Sequence, residues 1–463
     1  MGQSAVPTPG IRVALPTPPT GSVLMVGVTP NNIIRFAPSH PLNPRRQGLP
    51  TTYLRDRHPP PPSRHLDPIE ALTSRFGILN GKLLASPLAP LYEPEGRVEY
   101  RDGRLLLHGR HATHPASGQR RVNVFRGDAS RTTIASADLS EWPHRFKVTF
   151  DDGHETIVPA WIVNGRTLPH LARWRAGIVP VTTWNRAIQD GPPTEAYDNI
   201  LAGPGMASLL YKIRTYGFAF VHSMPPTPSA TKSLLETIGP IRNTHYGGFY
   251  DFTSDLASKD TAYTSEALEP HTDNTYFSDP AGLQALHLLS HTDGSGGESS
   301  LVDGFAAAAT LYRTNPAAYL KLSSTSVHAH ASGNDGVSIQ PYRAFPTFTH
   351  TEHTSRRSGT LLQVRWNNAD RAGVAVRSGV LDAWYEAAGA FDALLNDPKN
   401  QYWFQLKPGR MLLIDNWRVL HGRAAFTGQR RICGGYINHD DFISKVRVTN
   451  YSQEEIRQST VSG

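Results

Sequence analysis

The stretch MLLIDNWRVLHGRAAFTGQRRICGGYI, residues 411–437, decides the architecture. Its first four residues are an unbroken apolar run, which suits a strand buried on both faces. Residues 432–437 read as a second strand, and the link between the two carries His421 and Arg430. Working outward, 283–289, 300–302, 361–366 and 403–406 read as further strands, whereas 206–215 and 230–238 read as helices. Residues 380–395 place Leu381, Trp384, Ala388, Phe391 and Leu395 at helical spacing. Strands separated by loops, with helices inserted, predict a mainly β fold: a sandwich or jelly roll with helical additions.

Upstream the texture changes twice. Val98-Glu99-Tyr100 and Leu105-Leu106-Leu107 flank Asp102-Gly103, which predicts a hairpin. Phe146 to Phe150 alternates, then Asp151-Asp152-Gly153 turns the chain into Glu155-Thr156-Ile157-Val158. These features predict a small N-terminal β domain over 91–185, set off by Pro180, Pro192 and Pro193 from a larger domain over 195–450. The first 62 residues hold 14 of the 37 prolines, so 1–90 is expected to be a largely irregular tail.

Composition narrows the class. At 463 residues, 39% hydrophobic and 18% charged, the chain has material for a sizeable core and two or three domains. A lone cysteine, Cys433, excludes an intramolecular disulfide and a cysteine-rich zinc cluster. With 20 histidines beside it, metal chemistry points to imidazole and carboxylate ligands. No apolar run reaches the length of a spanning helix. The net charge is +7, but six arginines against one acid put +5 of it in the first 63 residues. The remaining 400 residues carry only +2 and no basic stripe, so neither nucleic acid nor membrane is expected as a partner. An intracellular setting, mitochondrial or cytoplasmic, is expected. The tail lacks acids before Asp56, as a presequence would, yet its early prolines break the required amphipathic helix.

The chemistry centres on Glu269-Pro270-His271-Thr272-Asp273-Asn274-Thr275-Tyr276-Phe277. In an extended segment residues i and i+2 share a face, so His271 and Asp273 can meet one metal ion, with His421 as a third ligand. Two histidines and a carboxylate on one face of an octahedron leave three positions open, the arrangement of non-haem Fe(II) oxygenases. A second copy of the motif, His291-Thr292-Asp293, has a similar separation from His421, and spacing cannot choose between them. It runs into Gly294-Ser295-Gly296-Gly297, which favours a solvated turn. Arg430 lies nine residues after His421, where a planar guanidinium can grip a dicarboxylate co-substrate through paired hydrogen bonds. Ser299 offers an additional hydroxyl.

The runs FTSDLASKDTAYT (252–264), HTDNTYFSDPAGLQALHLLSHTDGSGGESSLVDGF (271–305) and LKPGRMLLIDNWRVLHGRAAFTGQRRICGGY (406–436) resemble the trimethyllysine/γ-butyrobetaine dioxygenase family of Fe(II)/2-oxoglutarate oxygenases, and within it the trimethyllysine enzymes. The likeness is close over about 200–450 and loose over 97–200. It implies a double-stranded β-helix (jelly-roll) domain that uses Fe(II), 2-oxoglutarate and O2, with ascorbate as reductant, and a homodimeric assembly. It implies hydroxylation of N6,N6,N6-trimethyllysine at C3, the first step of carnitine biosynthesis. By the same match His271, Asp273 and His421 are the iron ligands, and Arg430 and Ser299 hold 2-oxoglutarate. Tyr246, Tyr250, Tyr263 and Tyr436 fall on the positions of an aromatic cage, which suits a trimethylammonium that cannot donate a conventional hydrogen bond. Asp260 stands where the butyrobetaine enzyme has asparagine, and an acid there favours a substrate with an α-ammonium. Asn367 or Asn368, with Asn367 preferred, is expected to bond the amino-acid carboxylate.

The family's N-terminal module normally holds zinc through three cysteines and a distant histidine. Here the equivalent stretch, with His108, His111 and His114, has no cysteine, so no structural zinc is expected, and His154 is the remnant of the fourth ligand position. Two rival functions are a γ-butyrobetaine hydroxylase and, from another class, a non-catalytic methyl-lysine binding protein. A halogenase is disfavoured because Asp273 supplies the carboxylate that such an enzyme replaces.

Overall fold

A computed structural model describes residues 181–253, 264–351, 360–453 and 455–456. Before them it describes only segments 27–28, 34–35, 78–79, 82–83, 134–138, 140–141, 145–150, 153 and 155–159. The chain forms two compact units, Met1–His65 and Leu66–Gly463. In the first, Gly27–Val28 pairs antiparallel with Ile34–Arg35.

The second unit contains a three-stranded antiparallel sheet, β1 (Ile134–Asp138), β2 (Arg145–Phe150) and β3 (Glu155–Pro159). Gly153, at φ 78°, makes the turn between β2 and β3 that the sequence predicts. The predicted hairpin around Asp102-Gly103 lies outside the described residues.

Downstream, two sheets and two helical layers build the body. The strands are β4 (Thr194–Ala196), β5 (Phe218–His222), β6 (Tyr250–Thr253), β7 (Leu268–His271), β8 (Leu283–Thr292), β9 (Ser299–Asp303), β10 (Phe348–His350), β11 (Leu361–Val364), β12 (Gln401–Phe404), β13 (Met411–Asp415), β14 (Val419–Arg423) and β15 (Gln429–Ile437). Among them run helices α1 (Tyr197–Leu201), α2 (Pro204–Tyr216), α3 (Pro228–Ile238), α4 (Gly304–Thr314), α5 (Pro316–Ser324), α6 (Ser378–Leu395) and α7 (His439–Asn450). The larger sheet has the order β6-β15-β8-β13-β5-β4, and the smaller β7-β14-β9-β12.

Strand β13 explains the layering. Met411 and Leu413 pack with α2, α3 and α7 residues such as Leu209, Leu234 and Phe442. Leu412 and Ile414 point the other way, into a cluster that joins Phe218 and Phe220 of the larger sheet to Leu301 and Val419 of the smaller. Both faces are therefore apolar, as the unbroken 411–414 run requires. Val302 and Leu420 leave the back of the smaller sheet to meet Leu311, Trp384 and Phe391 of α4 and α6. This is the sandwich with helical additions predicted from the sequence.

One buried ion pair fixes the strand that matters most for the site. Arg418, just before β14, donates from Nε and Nη2 to the two carboxylate oxygens of Asp303 at 3.0 and 2.8 Å. A paired guanidinium–carboxylate contact sets direction as well as energy, so it aligns β14 against β9. Strand β8 corrects the expectation for His291-Thr292: both remain in the ladder, opposite Arg430 and Gln429 of β15. The turn begins only at Asp293, at φ 57°.

Candidate metal centre and active-site cavity

Strand pairing brings the two histidines together. His271 ends β7 directly opposite His421 of β14, and their rings lie 4.3 Å apart between centroids. Asp273 arrives by a different route from the one expected. The strand stops at His271, and Asn274 takes a positive φ of 61°, so the carboxylate is not placed by strand alternation. Asn416 holds it instead. Its Oδ1 accepts from the Asp273 backbone N–H at 2.7 Å, while its Nδ2 donates to the carbonyls of Asp273 and Ala281 at 3.0 Å.

The result is that Asp273 Oδ1 sits 3.3 Å from His271 Nε2 and 3.7 Å from His421 Nε2. All three donor atoms lie within 4.8 Å of one another, the only such group of three or more His, Cys, Asp or Glu among the described residues. His291 of the second motif bonds the Thr427 carbonyl through Nε2 at 2.9 Å and takes no part.

The donor set fits a divalent ion. His271 Nδ1 donates to the Glu269 carbonyl at 2.8 Å, which leaves the lone pair on Nε2, the nitrogen that faces Asp273. Burial pushes His421 down to about 4, assisted by His271, so it is a neutral ligand at pH 7. Burial acts the same way on His271, but the bond and charge of Asp273 outweigh it and leave the net shift upward. Burial would raise Asp273; the two histidines and the Tyr436 hydroxyl overcome it and hold the acid far below the usual carboxylate range.

The other carboxylate oxygen is already occupied. Asp273 Oδ2 accepts from Gln284 Nε2 and from the Tyr436 hydroxyl, each at 2.6 Å. Gln284 of β8 and Tyr436 of β15 are register partners, so they share a face and converge on one atom. With Oδ2 so engaged, Oδ1 alone is presented to a metal.

A cavity of about 450 Å³ opens beside these ligands. Of the expected site residues, Tyr246, Tyr250, Tyr436, Asn367, Ser299 and Arg430 line it. Asp260 and Tyr263, and likewise His108, His111, His114 and His154, lie outside the described residues. Tyr250 and Tyr436 meet edge to face at 6.0 Å, and the Tyr250 hydroxyl donates to the Ala285 carbonyl at 2.6 Å. Gly434 permits this approach, because a Cβ there would collide with that carbonyl and lie 2.7 Å from the hydroxyl.

Arg430 is 1% exposed. Its guanidinium lies over Phe426 at 4.9 Å and against Gly297, whose φ of 73° and missing side chain leave it room. Asn367 reaches the cavity with its amide engaged: Nδ2 donates to Asp370 Oδ2 at 2.8 Å, and Oδ1 accepts from Ala369 N at 3.0 Å and Asp370 N at 3.3 Å.

Among the cavity residues that sequence reasoning missed are Gln284, Arg423 and Asp370. Arg423 follows His421 by two residues in β14, so strand period alone could have placed it on the ligand face. Gln284, 4% exposed within an apolar strand, carried the signal of a buried amide that needs partners.

Residues 194–436 match the family described as "Taurine catabolism dioxygenase TauD, TfdA family". The chain is 42% identical over 373 residues to a trimethyllysine dioxygenase of Neurospora crassa, covering 73% of this chain and 77% of that protein. It is 36% identical over 338 residues to the mitochondrial trimethyllysine dioxygenase of Homo sapiens, covering 68% and 76%. A gamma-butyrobetaine dioxygenase of a Pseudomonas species is 30% identical over 320 residues, covering 66% and 78%.

Proposed function

The chain belongs to the TauD/TfdA dioxygenase family, and from that premise we propose that it hydroxylates C3 of free N6,N6,N6-trimethyllysine, with Fe(II), 2-oxoglutarate and O2, as the first step of carnitine biosynthesis. The observation that carries this reading is the convergence of two imidazoles and one carboxylate oxygen beside a cavity that also holds tyrosine rings and a buried arginine. The trimethyllysine dioxygenase relatives support the choice of substrate.

His271, Asp273 and His421 would hold Fe(II), which when bound supplies oxygen activation coupled to oxidation of 2-oxoglutarate. Arg430 and Ser299 hold the far carboxylate of the co-substrate; the buried guanidinium gives paired, directional bonds. Tyr246, Tyr250 and Tyr436, with Tyr263, surround the trimethylammonium, each ring contributing roughly 0.5–2 kcal/mol. They place the substrate rather than perform bond chemistry, so their loss acts mainly on KM. Tyr436 has two roles, since its ring lines the cavity while its hydroxyl orients the metal carboxylate.

We further propose a tail over 1–90, a small β domain over 91–185 and a catalytic domain over 195–450, with ascorbate as reductant, a homodimeric assembly and, as for the mitochondrial human relative, a mitochondrial setting. Among the described residues no helix is long and apolar enough to cross a membrane.

The test is anaerobic loading with Fe(II) and 2-oxoglutarate, then O2, following succinate with trimethyllysine and γ-butyrobetaine in parallel. Succinate formation coupled to 3-hydroxy-trimethyllysine is expected. Preference for γ-butyrobetaine would overturn the substrate choice, and peptide binding without turnover would make the chain a methyl-lysine reader.

A further inference from the structure

The second His-x-Asp copy takes part in no metal group among the described residues, yet it is bound firmly into the structure. His291 is the register partner of Arg430 across β8 and β15. Its Nε2 faces the Thr427 carbonyl, which can only accept, so Nε2 carries the proton and donates at 2.9 Å. Thr427 N donates to the Ser295 carbonyl at 2.9 Å, and Ser295 N donates to Thr427 Oγ1 at 3.1 Å. Gly296 and Phe426 form a single antiparallel bridge. Loops 291–297 and 424–428 are thus tied together, and their glycines permit the contact. A Cβ on Gly294 would strike the Thr427 carbonyl, and one on Gly428 the Thr292 carbonyl. The glycine run that suggests a solvated turn serves a close approach of two main chains.

This junction delivers Phe426 to the site. Phe426 is 6% exposed, and the His291 ring meets it edge to face at 6.0 Å. The guanidiniums of Arg423 and Arg430, which both line the cavity, each lie 4.9 Å from its ring centroid. Arg423 is itself fixed, donating from Nη2 to the carbonyls of Thr264 and Glu266 at 2.6 and 2.8 Å. Arg430 also abuts Gly297 of the His291 loop, where a Cβ would lie 3.1 Å from the guanidinium carbon.

We propose that His291 and Phe426 are positioning residues for Arg430, an inference that rests on the reading of Arg430 as the grip on the far carboxylate of 2-oxoglutarate. A guanidinium makes paired bonds to a carboxylate only when its plane is correctly turned. A ring face attracts the cation without occupying an N–H donor, so Phe426 can set that plane and leave hydrogen bonding to the ligand. His291 acts one step further out, by holding Thr427 and so the ring beside it. The second motif therefore serves the co-substrate end of the site, although it holds no metal.

The experiment compares 2-oxoglutarate with 2-oxopentanoate, which has a methyl where 2-oxoglutarate has its far carboxylate. Dissociation constants are measured by anaerobic isothermal titration calorimetry on the full chain loaded with Fe(II). The wild type, Phe426→Leu, His291→Leu and His291→Gln are compared, each checked for folding by circular dichroism. The wild type should bind 2-oxoglutarate more tightly. The ratio of the two constants isolates the far carboxylate, because a change in the metal or the fold acts on both ligands alike. In Phe426→Leu the ratio should fall by about 5-fold or more, as loss of one buried cation–π contact requires. In His291→Leu it should fall by about 3-fold or more, the effect of one lost neutral hydrogen bond. His291→Gln, whose amide can still donate to the Thr427 carbonyl, should restore it. Folded variants with an unchanged ratio would overturn the inference and leave the loop junction a purely structural feature. An equal fall in His291→Leu and His291→Gln would overturn the part assigned to the His291 hydrogen bond. A wild type that does not distinguish the two ligands would overturn the reading of Arg430 itself. If Phe426→Leu does not fold, the two His291 variants decide.

Discussion

Replacing Tyr436 by phenylalanine separates the two roles proposed for it, because the ring survives and only the hydroxyl is lost. That hydroxyl lies 2.6 Å from Asp273 Oδ2, and burial together with the neighbouring carboxylate raises its pKa well above the ordinary value, so it donates at neutral pH. A hydrogen bond to a charged group contributes about 1.5–3 kcal/mol. Gln284 still holds the same oxygen at 2.6 Å, so the lower end applies, corresponding to about 10-fold weaker Fe(II) binding and in keeping with the usual loss for an outer-shell partner. Anaerobic equilibrium dialysis of Fe(II) reads this directly. KM for trimethyllysine should change by less than about threefold, since the ring that faces the cation is retained. Gln284→Leu should weaken the metal by a similar factor. The double variant should lose more than the product of the two, about 100-fold or beyond, because a buried carboxylate oxygen is then left without a donor. If Tyr436→Phe kept its Fe(II) affinity and lost trimethyllysine affinity, the claim that this hydroxyl orients the metal carboxylate would be wrong.

Arg430→Lys should raise KM for 2-oxoglutarate by about 10-fold or more despite keeping the charge, because an ammonium cannot reproduce paired hydrogen bonds; steady-state assays with varied 2-oxoglutarate check it. Gly434→Ala drives a Cβ into the Ala285 carbonyl and towards the Tyr250 hydroxyl, so thermal unfolding should show a loss of about 1–3 kcal/mol or more. Glu195 is shifted upward by burial, but Lys212 at 2.8 Å, Ser208 and Asn199 outweigh this and bring it down to about 2. A depressed acid stabilises the fold fully above its ordinary value of 4.5 and loses that contribution as pH falls towards about 2. Urea midpoints should therefore show Glu195→Gln less stable than the wild type at pH 7, with the gap narrowing from about pH 4.5 downward; a constant gap would contradict the assignment.

What could be read in advance follows from where physics leaves a mark in one dimension. The strands at 411–414 and 432–437 were visible because their apolar residues are contiguous, and β13 and β15 contain them. Helix α6 was visible through its spaced aromatic and aliphatic residues. Helices α4 and α5 were not, because Ala306 to Ala309 offers no contrast between faces; their signals were the caps Asp303 and Asn315. Strand β5 was missed because a short apolar run such as Phe218 to Val221 does not distinguish strand from buried helix. At the site, residue types suggested a His-x-Asp ligand pair but could not choose between its two copies. Register decides, by setting His271 opposite His421 and leaving His291 opposite Arg430. The clamp from Asn416 and the bond from the Tyr436 hydroxyl reach Asp273 from more than a hundred positions away, and no local pattern encodes them.

The proposed reaction requires one metal ion held by His271, Asp273 and His421. Its most direct measurement is anaerobic Fe(II) titration of the wild type and of Asp273→Ala with circular dichroism as a check on folding. One equivalent of Fe(II) bound by the wild type, and none by the folded variant, is the predicted outcome. Retention of a full equivalent by folded Asp273→Ala would contradict it.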